Sequence, residues 1–143
     1  MGLETAQQMD LLNRALACRT HGHLDDLTRI CLELLRNSPE CADAWYLLGV
    51  AASDRHHTQQ SEAYLSRAIA IDGDNPNYRN ALGVAFIESR QYQQAETVLR
   101  QALRGNPHVA DLHCNLGRAL MLQERFAEAL ACFRKSLETE PAH

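Results

Sequence analysis

Proline and glycine are scarce in this chain of 143 residues, four and seven in all, which leaves little to interrupt helices. No apolar run approaches the ~20 residues that a membrane-spanning helix needs, so membrane insertion is not expected. Basic residues are outnumbered, 14 Lys and Arg against 18 Asp and Glu, and a net charge of −4 gives no footprint for a nucleic-acid backbone. The opening MGLETAQQMD lacks the basic and apolar regions of a secretory leader, and Ala6 stands where a myristoylation signal wants Ser or Thr. Cysteine is present but unpatterned: Cys18, Cys31, Cys41, Cys114 and Cys132 are odd in number and contain no CxxC. That argues against a disulfide framework and for reduced thiols in the cytoplasm. There is no HExxH, no glycine-rich phosphate loop and no nucleophile elbow. No catalytic constellation, cofactor or metal is therefore expected. The pairs His21 and His23, and His56 and His57, fall in equivalent turns about a helix-packing distance of ~10 Å apart, too far to converge on one ion.

What the chain does have is a period. LLG ends at Gly49, ALG at Gly83 and NLG at Gly117, each 34 residues after the last. Rows of that length divide it without a gap into 8–41, 42–75, 76–109 and 110–143, behind a lead-in of 1–7. Each row carries two stretches with apolar residues at helical spacing, and Pro39, Gly73, Pro107 and Pro141 share the column where the second helix stops. Asn75 ahead of Pro76 reads as a helix cap followed by a first-turn proline.

A glycine inside a helix costs about 1 kcal/mol against alanine, so Gly83 in NALGVAF needs a compensating role. Its column holds Ala15, Gly49, Gly83 and Gly117, and mostly small residues fill two columns of the second helices: Leu27, Ser61, Ala95, Ala129, then Leu34, Ala68, Ala102, Ser136. The sequence thus predicts close backbone approach between small columns. Large residues form others, Leu48, Leu82 and Leu116, then Leu65, Leu99 and Phe133. One helix pair cannot bury both its faces, so the pairs must stack into a solenoid.

The stretches WYLLGVAA with Ser61, Leu65 and Ala68, LGVAF with Ala95, Ala102 and Pro107, and LGRAL with Ala129, Phe133 and Pro141 resemble the tetratricopeptide repeat, and the likeness covers 136 of 143 residues. The repeat's Trp position is filled only by Trp45, with Leu11, Arg79 and His113 elsewhere. The resemblance implies an all-α, right-handed α-solenoid of four antiparallel helix pairs, whose first helices line a concave groove for a peptide or partner segment. Carried over residue by residue, that groove comprises Leu12, Leu16, Asp43, Tyr46, Val50, Asn80, Val84, Ile87, Asp111, Arg118 and Met121. Its apolar middle and weakly acidic surroundings suit an amphipathic partner. The basic clamp of the family's chaperone-tail binders is missing at Leu12, Leu16, Asn77 and Ala81. The asparagine ladder of its sugar transferases is patchy, with Asn13 and Asn115 in column but Leu47 and Ala81 between them.

The expected function is a noncatalytic interaction scaffold. The alternative is a substrate-recruiting arm of a larger bacterial sulfotransferase or glycosyltransferase with its chemistry beyond residue 143. Apolar residues in the last row, without a polar capping helix after Phe133 and Leu137, add the expectation of self-association through that repeat.

Overall fold

A computed structural model of the protein describes residues 5–139. Eight helices and no strand occur among them: α1 (Thr5–Thr20), α2 (Leu24–Asn37), α3 (Ala42–Asp54), α4 (Thr58–Ile71), α5 (Pro76–Glu88), α6 (Tyr92–Gly105), α7 (Ala110–Leu122) and α8 (Phe126–Thr139). The fold is all-α, and the second helices start at Leu24, Thr58, Tyr92 and Phe126, at the expected period of 34. α1 starts at Thr5 rather than at residue 8, so the end of the expected lead-in is helical. Pro141 lies outside the described residues.

The contacts divide the chain into two compact units, Met1–Gly73 and Asp74–His143. In the first, α1 packs on α2 and α3, α2 on α3, and α3 on α4; the second repeats this with α5 to α8. Helix ends follow local chemistry. Asn75 caps α5 by accepting a hydrogen bond from the Asn77 N–H at 2.9 Å, with Pro76 in the first turn, as the sequence suggests.

The turn inside each helix pair has one shape. Gly22, His56, Arg90 and Glu124, one to each row, have φ of 76°, 63°, 64° and 62°. The residue after each donates its N–H to a carbonyl five residues back, as His23 to Cys18, His57 to Ala52, Gln91 to Phe86 and Arg125 to Leu120, at 2.7 to 3.0 Å. This is a left-handed helix stop, in which carbonyls orphaned by the end of the first helix gain partners.

The helical glycines find a different neighbour from the one expected. A Cβ at Gly49 would lie 2.6 Å from Leu65, one at Gly83 2.7 Å from Leu99, and one at Gly117 2.6 Å from Phe133. Each glycine is therefore a seat for one large apolar side chain of the partner helix, and small columns facing each other are not its main reason. Leu65 and Leu99 are fully buried as a result. Ser61 fits the original expectation better: wholly buried on α4, its hydroxyl donates to the Gly49 carbonyl at 2.8 Å. In the first pair the same two columns hold Ala15 and Cys31, both wholly buried, so a larger seat goes with a smaller occupant.

Candidate functional site

The groove residues named from sequence fall on α1, α3, α5 and α7, the first helix of each pair. In the first unit Leu16 is 47% exposed, Asp43 is exposed, and Leu12 and Tyr46 are half-buried. Val50 keeps only 7% of its surface. In the second unit Asp111, Arg118 and Met121 are exposed, Asn80 and Val84 half-buried, and Ile87 6% exposed. Val50 and Ile87 thus lie beneath the surface as packing groups, and the large apolar side chains that the first helices offer to solvent are Met9, Leu16, Met121 and Leu122. Periodicity assigns a residue to a face of its helix but not to a depth, which is why these two were misplaced as surface anchors.

Polar side chains join the first helices within each unit. Asn115 on α7 donates through Nδ2 to Oδ1 of Asn80 on α5 at 2.7 Å, and Arg118 donates through Nη1 to Oδ1 of Asn115 at 2.9 Å. Both ends of the Asn115 amide are thereby used, which orients Asn80 and Arg118 on the face. Asn115 lies outside the groove expected from the sequence, although it shares a column with Asn13; its sequence signal is the 35-residue step from Asn80. In the first unit Arg19 approaches Asp54 at 3.9 Å across the same kind of step.

The second-helix side carries its own network. Glu96 on α6, 16% exposed, accepts from Arg125 at 2.6 Å, Arg100 at 3.0 Å and Gln123 at 3.3 Å. Burial pushes its carboxyl up, but these hydrogen bonds outweigh that and hold it below the usual carboxylate range. Arg125 also donates to Glu128 at 2.8 Å, and in the first unit Arg55 pairs with Asp25. The repeat's Trp column has a second ring donor. Trp45 Nε1 donates to the Pro39 carbonyl at 2.9 Å, and His113 Nε2 bonds the equivalent Pro107 carbonyl at 2.8 Å, so His113 carries its proton on Nε2.

Chemistry beyond binding finds no assembly among the described residues. No group of three or more His, Cys, Asp or Glu is placed to hold a metal ion there. All five cysteines are free; burial raises Cys31 to about 12, with Cys41 and Cys18 adding to the effect, and burial also raises Cys41 and Cys132. The thiols of Cys31, Cys41 and Cys132 are therefore disfavoured as thiolate nucleophiles at neutral pH. No helix among the described residues is long and apolar enough to cross a membrane.

Comparison with known proteins points one way. The tetratricopeptide repeat family matches residues 31–76 and 80–142. Superkiller complex protein 3 of Mus musculus is 28% identical over 137 residues, 91% of this chain and 9% of that protein. The type IV pilus assembly protein PilF of Pseudomonas aeruginosa is 31% identical over 90 residues, 63% of this chain and 36% of its own. A solved Pseudomonas aeruginosa PilF structure superposes with a TM-score of 0.89 at 22% identity, covering 95% of this chain and 62% of that one. An O-GlcNAc transferase mutant of Thermobaculum terrenum gives 0.77 at 27%, over 84% of this chain and 23% of that one. The chain spans between 9% and 36% of the length of the curated relatives it matches.

Proposed function

The chain belongs to the tetratricopeptide repeat family, and from that premise we propose that it is a noncatalytic scaffold binding a protein or peptide segment on the faces of its first helices. The observation that carries this reading is the Asn80, Asn115 and Arg118 chain beside exposed Met121. Asn115 spends its amide internally, while Asn80 keeps its Nδ2 hydrogens and Arg118 the rest of its guanidinium for a partner's carbonyl or carboxylate oxygens. In the first unit, exposed Leu16 and half-buried Leu12 and Tyr46 offer apolar contact beside exposed Asp43, which suits an amphipathic segment. The five unpaired cysteines support a reducing compartment, the cytoplasm.

The test compares partner recovery from native lysate by the wild-type chain and by a Leu16→Glu/Arg118→Glu variant with an unchanged helical spectrum. A partner recovered by the first and lost by the second supports the face. Equal recovery by both overturns it. The transferase-arm reading is less favoured, because the family match covers the tetratricopeptide repeats alone and no comparison matches a catalytic domain to this chain. Self-association through the last repeat draws support from Phe126, Leu130 and Leu137 on α8, which are 63%, 51% and 59% exposed. Sedimentation that stays monomeric as concentration rises would remove it.

A further inference from the structure

The two units solve one packing problem differently. In the first, the cleft walled by α2 and α4 over α3 is filled from within: the Trp45 and Tyr64 rings lie 6.1 Å apart, and the Arg67 guanidinium sits 5.1 Å from the Trp45 ring centre. Two repeats later, those three positions hold His113, Cys132 and Lys135. The ring-to-carbonyl anchor survives, since His113 bonds Pro107 as Trp45 bonds Pro39. The aromatic bulk does not.

Between α6 and α8, over α7, this leaves a cleft of about 560 Å³, a size typical of ligand sites. Buried Leu116 and Leu120 and half-buried Leu103 form its apolar floor. Three cations line it, Arg100, Arg104 and Lys135, against one acid, Glu128, in a chain whose net charge is −4. Arg100 is engaged by Glu96 and Glu128, and Glu128 also by Arg125. Arg104 and Lys135, both exposed, form no ion pair among the described residues.

We propose that this cleft is a docking site for an aromatic side chain of a partner protein carried next to an acidic residue. The ring takes the space that Trp45 and Tyr64 fill in the first unit, with Lys135 over it as Arg67 lies over Trp45. The neighbouring carboxylate pairs with Arg104 and Lys135. The site is on the second-helix side, separate from the face proposed above.

The experiment titrates the ¹⁵N-labelled full chain with the acetylated, amidated tripeptide Asp-Trp-Asp and follows amide shifts. Saturable shifts at Leu103, Ala131 and Cys132 are expected, with the Lys-Trp-Lys tripeptide binding at least about ten-fold more weakly. Arg104→Glu/Lys135→Glu, two exposed changes that leave the core alone, weakens Asp-Trp-Asp binding by a similar factor. Cys132→Tyr restores the ring of the first unit and abolishes the shifts. Equal binding of the two tripeptides, shifts that persist in Cys132→Tyr, or the absence of saturable shifts at those amides overturns the proposal. Indole-3-acetate binding as tightly as Asp-Trp-Asp also overturns it, by reassigning the cleft to a free aromatic acid.

Discussion

His56, Arg90 and Glu124 hold a backbone conformation that costs an L-residue about 1–2 kcal/mol, and only Gly22 in the same column escapes it. All four are exposed, so the side chains offer no burial in compensation. Arg90→Gly is therefore expected to stabilise the protein by about 0.5–1 kcal/mol, after the extra freedom of glycine in the unfolded chain is subtracted. Gly22→Ala should destabilise by a similar amount. Urea midpoints at constant slope measure both. This column was illegible in the sequence because three of its four members carry no sign of a left-handed turn. Asn75 with Pro76 was legible, because cap chemistry is local and both residues announce it.

At the level of helix pairs, periodicity located the elements well and their mutual depth poorly. The 34-residue rows set the second-helix starts, since both the apolar pattern and the stop column repeat. They could not say that Gly49 seats Leu65, because a column of small residues is compatible with either a small or a large neighbour. Gly49→Ala is expected to destabilise by about 1–3 kcal/mol through overpacking against Leu65, despite alanine's better helix propensity. In a Leu65→Cys background, which copies the Ala15 and Cys31 pairing of the first repeat, the same change should be neutral or favourable. A double-mutant cycle by chemical denaturation reads this coupling directly, and equal effects in both backgrounds would refute the seat. Glu96 supplies a pH test for the α6 to α8 region. Its folded pKa is lowered, so its contribution is complete above the unfolded value of about 4.3 and is lost as pH falls through the folded value. The stability advantage of wild type over Glu96→Gln should accordingly be largest near neutrality and shrink on acidification, as followed by urea midpoints across that range. A gap that is constant with pH would show that the ion pairs contribute nothing to folding.

Across the whole chain, the family was legible because its signature is a spacing, repeated often enough that single departures such as Arg79 or His113 do not hide it. Binding surfaces were less so. Leu16, Asp43, Asp111, Arg118 and Met121 are exposed as expected, whereas Val50 and Ile87 are not, and the cleft beside Cys132 arises from what two side chains lack rather than from any motif. The five thiols have a practical consequence at this scale. Cys114 alone is exposed, on α7 beside Asn115; Cys31 is buried with its thiol raised to about 12, and burial raises Cys41 and Cys132 as well. Maleimide used sparingly at neutral pH should modify Cys114 first, as peptide mass mapping would show. The native chain thus brings its own attachment point for a fluorophore on the first-helix face, and partner engagement there can be watched as a change in emission without a single engineered residue.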